Sequence, residues 1–257
     1  MDINRILQLA TLAGEIMLES GAEIYRVEET VERICHAYGV FNTDSFITPT
    51  GLVVSVTNSF GITSSKVKRI KSRTVDLDKI ALVNDLSRKI CSEKLTLDFI
   101  EQSLKDIKSN KTYSKKIIIL ASCIAAGFFT LLYGGSKKDF ITSLFIGGLI
   151  QIVNLKLNSI QTNAFFINAI GGALASFIAL ISTSLNLADN TDKIVIGSLM
   201  LLVPGLVITN AIRDTLAGDL MAGNCRAVEA FLIAIAIAVG SGITFSLWFN
   251  YFGGVFK

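Results

Sequence analysis

The sequence predicts a membrane protein in two parts: an N-terminal cytoplasmic α+β domain, then a five-helix α-helical transmembrane domain. Three observations predict it. Charge is unevenly divided, with 32 charged side chains in residues 1–116 and 13 in residues 117–257. The second part holds five charge-free stretches, 117–136, 140–155, 157–188, 194–212 and 230–256, where crossing ~30 Å of hydrocarbon takes roughly 20 apolar residues. The first part carries helical apolar periodicity and short β-branched runs bounded by turn residues. The whole chain is 51% hydrophobic and only 18% charged, with a mean hydropathy of +0.56. That apolar content excludes a disordered chain. A net charge of +3, small and evenly spread, excludes a nucleic-acid partner.

The elements follow in order. Ile3, Ile6, Leu7, Ala10, Ala13, Gly14 and Met17 fall on one face of a first helix. Ser20-Gly21 ends it, and Ser20 with Glu23 has the spacing of a capping box for a second helix, which buries Ile24, Val27, Val31, Ile34 and Tyr38. Leu52–Thr57 reads as a strand after the turn Pro49-Thr50-Gly51. A second turn at Asn58-Ser59-Phe60-Gly61 leads to a basic edge strand over Ile62–Ile70. Helices fit Leu77–Cys91 and Thr96–Ile107, so residues 1–110 form one domain, joined by a linker over 111–116 to the membrane domain 117–257.

Membrane helices are expected near 117–134, 139–157, 163–185, 193–211 and 227–252. No signal peptide is apparent, because Asp2, Arg5, Glu15 and Glu19 interrupt the first twenty residues. With the N-terminal domain inside, seven Lys and Arg (Lys108, Lys111, Lys115, Lys116, Lys156, Arg213, Arg226) lie on the cytoplasmic side. Four (Lys137, Lys138, Lys193, Lys257) lie outside, which predicts a C-terminus outside the cell. Cys35, Cys91, Cys123 and Cys225 show no ligand spacing, and His36 is the single histidine. No metal site, cofactor or catalytic constellation is therefore expected, and the cysteines read as reduced packing residues.

Polar groups inside apolar stretches mark the candidate pathway. Pro204-Gly205 interrupts the fourth span, and a proline there removes an internal hydrogen bond and breaks or kinks the helix. Beyond it, Asn210, Arg213 and Asp214 share one helical face, followed by Asp219 and by Arg226 and Glu229 at i, i+3; the segment reads either as pathway lining or as a cytoplasmic loop with interfacial salt bridges. Gly205, Gly218 and Gly223 would permit close backbone approach. Gln151, Asn154 and Asn158 line one stripe of the second span with Gly147, and amides in hydrocarbon need partners, so the stripe serves either as glue between helices or as a solvated path. Gly171/Ala175, Gly172/Ser176, Ala230/Ala234/Ala238 and Ala238/Gly242 are small-residue pairs suited to helix packing. Near the start, Glu23, Tyr25, Arg26 and Glu28 make a dense polar motif in which Glu23 serves as cap and Arg26 pairs with Glu23 or Glu29. An aspartyl protease is disfavoured: Leu216 stands where its GxGD pattern needs glycine. Likewise, no GxxxxGK[ST] pattern supports an ATP-driven pump.

Ser20-Gly21-Ala22-Glu23-x-Tyr25-Arg26-Val27-Glu28 together with Val203-Pro204-Gly205, Thr209–Asp214, Ala217-Gly218-Asp219, Gly223, Arg226 and Glu229-Ala230 resembles the threonine/serine exporter family. The resemblance covers nearly the whole chain. It implies a non-enzymatic exporter of an amino acid or dicarboxylate in a bacterial inner membrane. Full-length members continue into a second membrane block, so a chain ending at Lys257 resembles the split form. In that form the second block is a separate small membrane protein, and the substrate is a dicarboxylate such as succinate.

The expected function is thus a secondary-exporter subunit for a small carboxylate, with Arg213 or Arg226 as its partner. The expected partners are membrane lipid, a second small integral-membrane subunit or further copies of the chain, and no nucleic acid. The alternative is a membrane-anchored regulatory or scaffold protein whose cytoplasmic domain does the binding.

Overall fold

The computed structural model describes residues 2–93, 95–110 and 113–252. Lys111 and Lys257, used in counting charges across the membrane, lie outside the described residues, as do positions 111–112 of the expected linker. The chain forms two compact units, one of Met1–Thr112 with Leu206–Val228 and one of Tyr113–Gly205 with Glu229–Lys257. Leu206–Val228, which the sequence assigns to the membrane domain, therefore packs with the N-terminal residues.

In the first unit, α1 (Ile3–Glu19) and α2 (Ile24–Ala37) cover one face of an antiparallel sheet of β1 (Thr43–Thr48), β2 (Gly51–Thr57) and β3 (Thr63–Arg69). Leu52, Val54 and Val56 point inward from β2 onto Ile6, Ala10, Ala13 and Met17 of α1 and Val27 and Val31 of α2. Gly14 lets these layers close, since a Cβ there would stand 3.1 Å from both Leu52 and Val31. Helices α3 (Leu77–Glu93) and α4 (Leu97–Ser109) complete the unit with Ile80, Val83, Ile90, Ile100 and Leu104.

Two details differ from expectation. Strand β1 was not anticipated: its only core apolar residue is Ile47, because it lies at a sheet edge. The predicted capping box does not form. Ser20 ends α1, Gly21 turns the chain at φ +86°, and Glu23 is itself the N-cap of α2 with no side-chain cap bond. The Glu23 carboxylate is thereby released for other partners.

The remaining helices are α5 (Lys115–Leu132), α6 (Lys137–Ser159), α7 (Ala164–Ser184), α8 (Thr191–Leu199), α9 (Gly205–Ala217) and α10 (Leu220–Phe252). Among the described residues, α5, α6, α7 and α10 are the four helices long and apolar enough to cross a membrane. The expected fourth span is not one helix. It divides into α8 and α9 around residues 200–204, because Pro204 has no N–H to donate and biases Val203 away from helical geometry. The last helix starts at Leu220 rather than near 227.

The second unit contains a staple that the sequence reading passed over. Asp139 is fully buried; it closes a capping box with Ser136 and accepts the Asp189 N–H at 2.7 Å, the Asn190 N–H at 3.1 Å and Asn190 Nδ2 at 2.9 Å. The turn before α6 is thus tied to the turn before α8. The spacing Ser136-x-x-Asp139 is the signal that could have revealed half of it.

Helices α7 and α10 pack more closely than side chains would allow. A Cβ at Gly240 would stand 1.9 Å from the Ala169 carbonyl oxygen, and one at Gly172 would stand 2.6 Å from that of Ile237. The seam therefore uses Ala236, Ile237, Gly240 and Ser241, not the anticipated Ala234, Ala238 and Gly242, which are exposed. Both stripes have small residues at i, i+4, so spacing could not choose between them. Gly240→Ala is expected to separate these helices and lower the melting temperature of the detergent-solubilised chain, a cost of about 1–3 kcal/mol for overpacking. Gly242→Ala, where nothing lies within 4 Å, should leave melting unchanged.

All four cysteines are free thiols: Cys35 is buried in the core, but Cys91 and Cys225 are exposed. Those two are surface residues, contrary to the packing role expected of them.

Candidate functional site

The two motifs that carry the family resemblance meet in one buried polar cluster within the first unit. The chain leaves the break at Pro204 into α9, which ends at Ala217. Gly218 then turns it at φ +98°, and the Asp219 N–H donates to the Asp214 carbonyl at 2.9 Å to close the turn before α10. Helices α9 and α10 can fold back on each other because Gly223 has no side chain: a Cβ there would meet Thr215 Oγ1 at 2.1 Å and the Ala211 carbonyl at 2.9 Å. Of the three glycines expected to allow close approach, Gly223 does so. Gly218 supplies the turn, and Gly205 has nothing within 4 Å.

This hairpin presents its polar residues to the segment between α1 and α2. Asn210 Nδ2 donates to the Gly21 carbonyl at 2.9 Å, and the Ile24 N–H donates to Asp214 Oδ1 at 3.0 Å. Arg226 donates to the Ala22 carbonyl at 2.6 Å, and its Nε lies 3.0 Å from Asp214 Oδ2. Arg213 pairs with Glu23 at 2.5 Å, and Arg26 approaches the same carboxylate at 3.3 Å. The buried amino end of α2, which has no cap bond from Glu23, is thus satisfied by Asp214, a carboxylate placed where the helix dipole favours negative charge.

Burial separates two roles. Asp214 and Arg226 are 0% and 5% exposed, whereas the Arg213 side chain is 52% exposed. Arg226 is committed to internal partners, whereas about half of the Arg213 side chain is exposed. Burial pushes the Asp214 carboxyl up from its ordinary value, while the Ile24 N–H and Arg226 pull it back down.

Tyr25 is exposed, stacked loosely with Arg26 and hydrogen-bonded to its Nε at 3.2 Å. Glu28 is half-buried one turn along α2. Its burial, together with the carboxylates of Asp219, Glu32 and Asp214 facing it, pushes it up to about 7. Glu32 was missed in the sequence, although its i+4 spacing from Glu28 was the available signal. A glutamate raised in the folded state holds a proton there that it loses on unfolding. The unit should therefore be more stable below the ordinary glutamate value than above 7, with the stability falling between them. Glu28→Gln should flatten that pH dependence in thermal melts taken from about pH 4 to 8.

Gln151 and Asn154 belong to α6 in the other unit, where Asn158 donates to Asn154 at 2.5 Å and Gly147 packs against the Ser122 carbonyl. Glu229 also falls in that unit, on α10. Among the described residues, no group of three or more His, Cys, Asp or Glu side chains is placed to hold a metal ion.

The chain matches the family described as "Putative threonine/serine exporter" over residues 8–248. It is 23% identical over 240 residues to the "Probable threonine/serine exporter" of Mycobacterium tuberculosis, covering 92% of this chain and 45% of that one. It is also 23% identical to the "Threonine/serine exporter" of Corynebacterium glutamicum, covering 94% of this chain and 51% of that one. The chain therefore spans about half the length of these two relatives. Against the "Probable succinate transporter subunit YjjP" of Escherichia coli it is 22% identical, and the match covers 95% of this chain and 94% of that one. No solved structure matches it. The match across residues 8–248, four candidate membrane spans and the joining of both signature motifs in one cluster lead to one conclusion: this chain is a membrane protein of the threonine/serine exporter family.

Proposed function

We propose that the chain is a subunit of a secondary exporter for a small carboxylate, a dicarboxylate such as succinate or the amino acids threonine and serine. The observation that carries this reading is the half-open Arg213 fork, held by Glu23 directly after a helix broken at Pro204. A planar guanidinium binds a carboxylate through two parallel hydrogen bonds. Glu23 occupies the place a substrate carboxylate would take, so substrate and Glu23 compete for one cation. Arg226, the second candidate in the sequence after Arg213, is assigned the positioning role because Asp214 and Ala22 already hold it.

Asn210 is read as a pathway-forming residue beside that fork, and Pro204, Gly205 and Glu229 as pathway-forming residues of the other unit, with Gln151 and Asn154 on its polar stripe. Glu28 is suited to carry a coupling proton, since it changes charge near pH 7 with the Asp219 carboxylate facing it. In this reading α8 and the break at residues 200–204 lie at membrane depth, where freed backbone groups are tolerated facing protein or water. The N-terminal residues lie in the cytoplasm, and a second small membrane subunit or further copies complete the path. The scaffold alternative has less support. The N-terminal residues are not a free-standing module, because Glu23, Ile24 and Ala22 find their partners on α9 and α10.

The test is export from cells that carry this chain alone, or together with a small membrane protein encoded beside it. Succinate, threonine and serine in the medium are measured against an empty vector. Raised extracellular carboxylate supports the reading; unchanged levels of all three with both proteins present would refute it.

A further inference from the structure

The hairpin of β2 and β3 has a charge and surface character that the exporter site does not use. Residues 45–75 contain no Asp or Glu but five basic side chains, Lys66, Lys68, Arg69, Lys71 and Arg73. A local charge of +5 in a chain whose net charge is +3 means that the positive charge is concentrated here, not evenly spread. Lys68 is partly spent on Glu15, 3.2 Å away. At the hairpin tip Phe60 is 86% exposed and Ile62 64% exposed, and on the outer face of β3 Val67 is 72% exposed. The register places Val67 opposite Val53, and Val53 opposite Phe46, so an apolar row crosses the uncovered face of the sheet.

Basic residues alone would be accounted for as protection of an edge strand against pairing with other chains. They do not account for a bare phenylalanine and isoleucine at the hairpin tip, at the Thr57–Thr63 end of the strands, nor for Val67 exposed on the outer face between Lys66 and Lys68 along the same strand. Apolar side chains flanked by Lys and Arg are the combination that partitions into an anionic lipid surface: cations meet headgroup phosphates while aromatic and aliphatic groups enter the boundary. Four candidate membrane spans among the described residues make a lipid bilayer part of this chain's surroundings.

We infer that the β2–β3 hairpin docks onto anionic phospholipid headgroups, with Phe60 and Ile62 entering the interface and Arg69 and Lys71 facing phosphates. The inference does not depend on what the protein transports.

The test uses the full chain in nanodiscs, with Phe60→Trp as reporter in a Trp248→Phe background, so that the hairpin tip carries the single tryptophan. Quenching by lipids brominated on their acyl chains is compared in discs of phosphatidylglycerol with phosphatidylcholine and in discs of phosphatidylcholine alone. Docking predicts strong quenching only with the anionic lipid. It also predicts loss of quenching in about 0.5 M salt, and a docking equilibrium weakened about tenfold or more by Arg69→Glu with Lys71→Glu. The salt arm needs no further substitution, so misfolding of the charge-reversed variant cannot hide the result. Quenching that is absent in anionic discs, or equal in both lipids, overturns the inference. Quenching that appears only in discs holding two copies of the chain also overturns it, and assigns the surface to a second copy.

Discussion

Replacing Asp214 by alanine should abolish or severely weaken folding of the unit that joins the N-terminal residues to Leu206–Val228. The variant leaves Arg226, 5% exposed, without its carboxylate, and takes from Ile24 the acceptor that satisfies its N–H. Removing one partner of a buried pair costs about 3–5 kcal/mol, a large part of the stability of a typical domain. The expected result is a melting temperature lowered by well over ten degrees, or loss of the protein from the membrane fraction. Asp214→Leu combined with Arg226→Met should recover the part of the loss due to the unpaired Arg226 cation, because a buried ion pair contributes little over an apolar pair of similar size, but not the part due to the Ile24 N–H and Ala22 carbonyl left without partners. An Asp214→Ala chain that melts like the original would show that the pair is solvated and the cluster is not a core.

Arg213→Lys should behave in the opposite way. The Arg213 side chain is 52% exposed and its pair with Glu23 is at the margin of the cluster, so its loss should change stability by less than about 1 kcal/mol. Its effect on transport should be large. Lysine keeps the charge but offers a point contact instead of a planar fork, and a bidentate carboxylate site does not tolerate that exchange. Export is expected to fall about tenfold or more with protein level and melting unchanged. Glu23→Gln should have the reverse signature, relieving competition for the fork and lowering the substrate concentration needed for half-maximal flux.

Much of this was legible in the residues, and the failures have physical causes. Charge-free stretches located the apolar helices because hydrocarbon excludes charge whatever the packing. Pro204 announced the broken helix because its missing N–H acts locally. The face shared by Asn210, Arg213 and Asp214 also followed from helical period alone. The partners of that face did not follow, because Gly21, Ala22 and Ile24 offer only backbone atoms and stand some 190 positions away in sequence. Glu23 was given to a cap that local spacing allowed, and a distant arginine outcompeted it. Strand β1 escaped because an edge strand with few core residues leaves almost no alternation to read.

The most direct measurement is efflux of labelled succinate and threonine from cells carrying the original chain, Arg213→Lys or Arg226→Lys, each with the proposed second membrane subunit and at matched protein levels. The account predicts that Arg213→Lys is present and stable but loses export of whichever substrate the chain carries, whereas Arg226→Lys is lost mainly through reduced stability. Near-normal export by Arg213→Lys across about pH 5.5 to 8, where the cation stays charged, would contradict it and move the search for the carboxylate site to the Gln151–Asn154 stripe.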